Sequence, residues 1–418
     1  MEFSKFGSKL TARSGILELM DDLGSAMNGD RPVNMLGGGN PAHIDECNAL
    51  WRERMTEILS NGHEFERMIA NYDTPQGKDD FLRDISGFLK SEYGWDVGPE
   101  NIAVTNGSQS AFFLLFNMLS GGMPDGSTKK ILFPLIPEYI GYADQGLEPD
   151  SFVSVPAKIE ELPGNRFKYH IDFDSLEIAE DIGAVCVSRP TNPTGNVLTD
   201  AEIEKLSALA KNAGVPLLID NAYGAPFPNI LFKEANLRWD EHVILGMSLS
   251  KIGLPSVRTG IIIASPELVR AISAVNAIVS LSNSTLGQVI TGPLIADGTL
   301  RRLSLETVMP YYLERSLKAQ ECLDRELAGV PYRIHVSEGA LFLWVWFPGL
   351  PVSSMELYRR LKARDTLVIP GEYFFFGTGT FSGNHSRECI RLTYSQEESV
   401  VEAGIRILGE EVKALYNM

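Results

Sequence analysis

From about residue 100 the chain alternates short, β-branched, almost wholly apolar runs with longer stretches of helical period. NIAVT (101–105), KILFP (130–134), FVSVP (152–156), GAVCVS (183–188), PLLID (216–220), HVILGM (242–247) and GIIIAS (260–265) read as buried strands. Between them, SAFFLLFNML (110–119) and DAEIEKLSALAKNAG (200–214) read as helices, the second starting on Asp200 and closing on Gly214. Strands apolar on both faces, alternating with helices, predict a mostly parallel sheet covered on both sides. After about residue 300 the pattern changes to one long helical stretch (300–328) followed by YRIHV, ALFLWVWF, TLVIP and CIRLTY. That succession predicts a smaller α+β unit, with the first 45 residues packed against it. The expected division is a large domain over 46–300 and a small domain built from 1–45 and 301–418, with a ligand cleft between them.

Composition narrows the function. The 418 residues are 44% hydrophobic and 22% charged, an ordinary globular balance. With 37 basic and 54 acidic residues the formal charge is −17, which argues against nucleic acid or an anionic membrane as partner. Cys47, Cys186, Cys322 and Cys389 stand far apart, with no CxxC pair, and read as reduced core thiols with no metal site. No stretch reaches the roughly 18 apolar residues of a membrane span, and MEFSKFGSKLTARSG lacks a signal-peptide core, so a cytoplasmic location is expected.

Six stretches carry candidate chemistry, each with a plain structural alternative. SLSKIGLPSVRTG (248–260) sets Lys251 between two apolar runs, a costly place for a charge that has no purpose. NGSQSAFF (106–113) puts Gly107, Ser108 and Gln109 at a strand-to-helix junction, where free N–H groups cradle an anion; Ser108 as a simple helix cap is the alternative. SRPTNPTGNVLT (188–199) brings Asn192 to the carboxyl end of a parallel strand, the edge where such folds bind ligands, or is merely a turn. LLIDNAYGAPFP (217–228) ends a strand on Asp220, which either caps the next segment or holds a proton on a ring nitrogen, with Tyr223 close behind. In IPEYIGY (136–142), Tyr139 either lies flat on a planar ligand or packs in the core. CIRLTYS (389–395) buries Arg391, whose guanidinium needs a carboxylate from the protein or from a substrate.

In this order and spacing, LGGGNPA, NYDTPQGK, NGSQSAFF, PEYIGYAD, SRPTNPTGN, DNAYGAPFP and MSLSKIGLP resemble segments of the fold type I pyridoxal-phosphate aminotransferases, over nearly the whole chain. The resemblance implies an α/β fold with a mostly parallel seven-stranded sheet between helices, plus a smaller α+β domain. It implies pyridoxal 5'-phosphate as cofactor and a homodimer with shared active sites. Lys251 would form the internal Schiff base and shuttle the α-proton, while Asp220 would pair with the pyridinium nitrogen. Asn192 and Tyr223 would donate to the ring's phenolate oxygen, and Tyr139 would stack on the ring face. Gly107, Ser108 and Gln109, with Ser248, Ser250 and Arg258, would hold the phosphate, and Tyr72 would reach the phosphate of the partner subunit. Arg391 would clamp the substrate α-carboxylate, helped by Asn192 and a backbone N–H near Gly39. The family pattern has Gly after the proline of the lysine loop, and this chain has Ser256 after Pro255.

The same resemblance frames the substrate. Dicarboxylate-specific relatives bring a second cation downstream of the lysine, and AVNAIVSLSNSTLGQVI (274–290) contains no Lys or Arg. The expected reaction moves an amino group between an apolar L-amino acid (valine, also alanine or 2-aminobutyrate) and a 2-oxo acid such as pyruvate. Broad alanine, aromatic or 2-aminoadipate specificity is an alternative, as is a lyase that keeps Lys251 and Asp220 but breaks another bond. A cofactor-sensing DNA-binding regulator is disfavoured by the short, acidic-leaning segment ahead of residue 46.

Overall fold

The computed structural model describes residues 1–12, 14–28, 32–377 and 383–417, the side chains of 23 and 25–28 excepted. Its central sheet follows the order Ile102–Thr105, Gly260–Ile263, Val243–Ser248, Leu217–Asp220, Ile182–Ser188, Thr128–Ile136, Gly121–Gly122. Phe152–Pro156 pairs in parallel with Thr128–Ile136 and completes eight strands. The two-residue Gly121–Gly122, antiparallel to the start of Thr128–Ile136, is the strand beyond the seven expected. It contains nothing but glycine, so it has no apolar pattern to read.

The sheet is parallel from Phe152–Pro156 through Val243–Ser248, and only Gly260–Ile263 runs against its neighbours on both sides. The register decides where function sits. Asp220 lies opposite both Ser188 and Gly246, Ser248 opposite Gly260, and Gly260 opposite Thr105. The carboxyl ends of the parallel strands and the amino end of Gly260–Ile263 therefore form one edge, from which the loops carrying the candidate residues emerge.

Helices cover this sheet for legible reasons. Asp79–Tyr93 buries Phe81, Leu82, Ile85, Phe88 and Leu89, spaced to make one stripe, and stops at Gly94, whose φ of +67° gives the left-handed cap. Each such side chain taken from water contributes about 1.5–3 kcal/mol. Asp200–Asn212 starts on a reciprocal cap: Thr199 accepts from the Glu202 N–H, while the Glu202 carboxylate accepts from Thr199. The long stretch after residue 298 is helical as expected, with a wider turn at Ser304–Val308 between Thr299–Leu303 and Met309–Glu326.

A second sheet has the order Ile369–Pro370, Cys389–Thr393, Phe342–Trp346, Arg333–His335, Arg166–His170, Lys158–Leu162. Its last two strands are a hairpin taken from within 46–300, the segment assigned to the large domain from sequence. The pattern KIEELPGNRFKYH mixes charged and apolar positions, unlike the buried strands on either side, and was no part of the expected strand series. A short parallel pair, Asn34–Met35 with Thr366–Leu367, ties the N-terminal segment to the C-terminal one.

Candidate active site

A cavity of about 190 Å³ opens at the carboxyl edge of the central sheet. Gly39, Ser108, Gln109, Tyr139, Asn192, Asp220, Tyr223, Ser248, Ser250, Lys251, Arg258 and Arg391 all line it. Gly107 stands behind this wall with φ +88°, and a Cβ there would lie 2.1 Å from Arg258 Nη2. Glycine is thus favoured by the backbone conformation, and a side chain there would also displace the guanidinium. Tyr72 is outside the cavity, with its side chain open to solvent. Ser256 is exposed on the turn Pro255–Val257, away from the cavity wall, and Arg258 follows with φ +49°.

The phosphate-type end of the cavity is built from a helix start. Ser108–Leu119 begins at Gly107, and its first N–H groups have no partner inside the helix. Arg258 reaches the same corner, where its guanidinium donates to the Pro255 carbonyl at 3.2 Å and the Asn106 carbonyl at 3.5 Å. The Ser248 hydroxyl accepts the Ser250 N–H at 3.1 Å and keeps its own proton for another partner. Gln109 is held to the Gly141 carbonyl at 2.9 Å.

Lys251 and Asp220 face this space from neighbouring strand ends. The lysine Nζ donates to the Gly39 carbonyl at 2.6 Å and lies 5.5 Å from the Tyr223 ring centroid. Burial pushes its pKa from 10.5 down to about 8; Arg391 and Arg258 push the same way, and Asp220 opposes them. Asp220 accepts from the Tyr142 hydroxyl and from the Ala222 N–H at 2.9 Å. Burial raises its pKa, and those two donors, with Lys251, pull it back. Tyr223 is pushed upward by burial and remains a neutral hydroxyl.

Arg391 is buried on the opposite side. Nη1 donates to Asn192 Oδ1 at 2.8 Å and Nη2 to the Gly37 carbonyl at 2.7 Å, while Nε has no partner among the described residues. Its carbon sits 4.1 Å from the Phe342 ring centroid and 5.4 Å from that of Phe374. Burial brings its pKa from 12.5 down to about 10, so it keeps its charge at neutral pH. A guanidinium has five N–H donors, and these contacts leave several free for a carboxylate.

Several parts of the wall escaped the sequence reading. Behind it, Tyr142, three residues after Tyr139 in IPEYIGY, holds Asp220, and buried Glu138 in the same stretch accepts the Tyr139 N–H. Ile16, Leu19 and Met20 from the helix Gly15–Asn28 form an apolar side of the cavity. Their spacing is a helical stripe, and it was the available signal.

This arrangement of lysine, strand-end aspartate, helix N-terminus and buried arginine matches what comparison with known proteins finds. The family model for aminotransferase class I and II matches residues 47–408. The chain belongs to that family. It is 48% identical to the valine–pyruvate aminotransferase of Escherichia coli K12, over 99% of this chain and 98% of that one. The crystal structure of valine–pyruvate aminotransferase from Salmonella typhimurium LT2 superposes with a TM-score of 0.89 at 46% identity, covering 96% of this chain and 100% of the other. An α-aminoadipate aminotransferase from Thermus thermophilus, solved with N-(5'-phosphopyridoxyl)-L-leucine, shares the fold at 23% identity and a TM-score of 0.78 over 99% and 98% of the chains.

The aminotransferase's residues fit pyridoxal phosphate. The anion-binding corner at Ser108 and Arg258, the acidic group at Asp220 and the amine at Lys251 share one cavity, in an order that suits a phosphorylated aldehyde bearing a ring nitrogen.

Proposed function

We propose that this chain is a pyridoxal-phosphate-dependent transaminase that moves the amino group between an apolar L-amino acid, valine foremost, and a 2-oxo acid such as pyruvate. The observation that carries the reading is Lys251, an amine pushed down to about 8 beside a buried aspartate, in the same cavity as a charged arginine. When bound, the cofactor supplies an electrophilic aldehyde and a ring that takes up electron density.

The chain's own residues do the rest. The helix start at Ser108, with Gln109, Ser248, Ser250 and Arg258, receives the phosphate. Asp220 keeps the ring nitrogen protonated, and the Tyr142 hydroxyl holds the carboxylate in place for that task. Tyr139 forms a flat wall, and Asn192 with Tyr223 offers polar groups to the ring oxygen. Arg391 binds the substrate α-carboxylate, which fixes the α-carbon near Lys251. Lys251, neutral for part of its time at physiological pH, would take the proton from that α-carbon and deliver it to the cofactor carbon that bore the aldehyde.

Two features support an apolar substrate: Ile16, Leu19 and Met20 on the cavity wall, and the cation-free stretch 274–290. The working unit in this reading is a homodimer in the cytoplasm. Exposed Ile69, Tyr72, Ile278, Val279 and Leu281 are the apolar side chains a second copy would cover, bringing Tyr72 toward the partner's phosphate site. The domain division in this reading is 46–300 against the two terminal segments, with the hairpin 158–170 crossing between them.

The test is direct. Purified protein incubated with valine and pyruvate should form alanine and 3-methyl-2-oxobutanoate in equal amounts, with aspartate a poor donor. Release of carbon dioxide or ammonia in place of alanine would overturn the reading.

A further inference from the structure

Behind the cavity wall sits a carboxyl group that the chemistry above does not use. Glu138 is 2% exposed, and its side-chain hydrogen bonds are all to donors. Oε1 accepts the Tyr139 N–H at 2.8 Å and the Ser188 hydroxyl at 2.7 Å; Oε2 accepts the Ser188 N–H at 3.0 Å. Burial, with Asp220 nearby, pushes its pKa up to about 8 against the pull of these three donors. The geometry of three donors on two oxygens suits a carboxylate, whereas an apolar side chain of similar size would hold the same space without a desolvation penalty. Both residues it grips, Tyr139 and Ser188, line the cavity.

The main chain of Glu138 points elsewhere. Its N–H donates to the Phe374 carbonyl at 3.0 Å, in the turn Gly371–Phe374 that packs against the second sheet. The Phe374 ring lies beside the Arg391 guanidinium. Arg391 bonds Asn192, and Asn192 sits in the turn that starts at Ser188, closed by the Thr191 hydroxyl on the Ser188 carbonyl at 2.9 Å. These contacts form a closed ring: Arg391, Phe374, Glu138, Ser188, Asn192 and back to Arg391. Glu138 is the member of that ring that touches Tyr139, the flat wall proposed for the cofactor.

We propose that Glu138 is a positioning residue that couples occupancy of Arg391 by a substrate carboxylate to the fit of the Tyr139 and Ser188 wall around pyridoxal phosphate. The inference rests on the reading of Arg391 as the carboxylate clamp. A carboxylate is needed because two acceptor oxygens must take three donors. Glutamine offers one acceptor oxygen and turns an NH₂ group toward N–H or O–H donors, so Glu138→Gln keeps the shape and breaks the grip.

The experiment uses cofactor-free full-length protein and 3-methylbutanoate, a carboxylate with the valine side chain and no amine. The affinity for pyridoxal phosphate is titrated with and without saturating 3-methylbutanoate, alongside the affinity of the loaded protein for the probe. Reciprocity requires the two effects to be equal. In the wild-type protein the probe should tighten cofactor binding by about fivefold or more, within the usual range of coupling between sites. In Glu138→Gln that factor should fall to near unity while the probe still binds, and in Ser188→Ala, which removes one donor, it should be intermediate. The same factor in Glu138→Gln as in wild type, or no tightening in wild type, overturns the proposal. If Glu138→Gln does not fold, Ser188→Ala decides, and an unchanged factor there overturns it equally. Failure of 3-methylbutanoate to bind loaded wild-type protein at all places the fault in the Arg391 reading and removes the coupling with it.

Discussion

Three cations line the cavity, and burial lowers the pKa of two of them, Lys251 and Arg391, by similar amounts from different starting points. Lys251 starts from 10.5 and is pushed down to about 8, into the range where a fraction of it is a neutral amine at working pH. Arg391 starts from 12.5 and stops at about 10, still charged at neutral pH. Their surroundings differ too. Lys251 donates to the Gly39 carbonyl and lies over one ring, Tyr223, whereas Arg391 has Asn192, the Gly37 carbonyl and two aromatic faces. The same low-dielectric wall therefore yields a nucleophile from a compact ammonium and an anion receptor from a delocalised guanidinium. Neither residue type can take the other's place.

Breaking that contrast gives the largest expected effects. Lys251→Ala should lose on the order of 10⁴-fold or more in kcat, since it removes the nucleophile and the proton carrier together. Borohydride treatment followed by peptide mass mapping should find a phosphopyridoxyl group on Lys251 in the wild type and none in the variant. Arg391→Lys keeps a charge but loses the planar fork. It should lower kcat/KM for valine by roughly 10²-fold, mostly through KM, as read from initial rates. An unchanged KM would remove the clamp from the account.

Subtler substitutions sharpen it. Asp220→Asn removes the charge that favours the lysine's ammonium and should lower the Lys251 midpoint further; Arg391→Leu removes an opposing charge and should raise it. Both are read by the pH dependence of Lys251 labelling in cofactor-free protein, and a shift of the wrong sign in either breaks the electrostatic picture. The smallest effect belongs to the apolar wall. Leu19→Ala should narrow the preference for valine over alanine by about tenfold in kcat/KM, the scale of a few methylenes in a hydrophobic pocket.

Most of the central sheet was legible because its strands are apolar on both faces and their ends fall at turn residues: PLLID closes on Asp220 and GAVCVS on Ser188, and the register sets those two side by side. The hairpin 158–170 was not, because it lies at the edge of another sheet and carries charge at Lys158, Glu160 and Glu161. The polar residues of the cavity could be found since each sits at a strand end or helix start with unusual chemistry for its place. Glu138 and Tyr142 lay in the same quoted stretch as Tyr139. They escaped because their importance is relational: Tyr142 matters through Asp220, 78 positions away, and Glu138 through Ser188, 50 away. Local pattern contains no trace of such pairings. Ile16, Leu19 and Met20 show the reverse case, a periodic stripe whose partner face only the fold reveals.

The contrast between the two cations rests on the lysine being a neutral amine for part of its time near physiological pH. Competitive labelling of cofactor-free protein with acetic anhydride across a pH series, with Lys251 followed by peptide mass spectrometry, measures this directly. The account predicts a midpoint for Lys251 near 8, well below that of exposed lysines. A midpoint at the ordinary value of about 10.5 would contradict it.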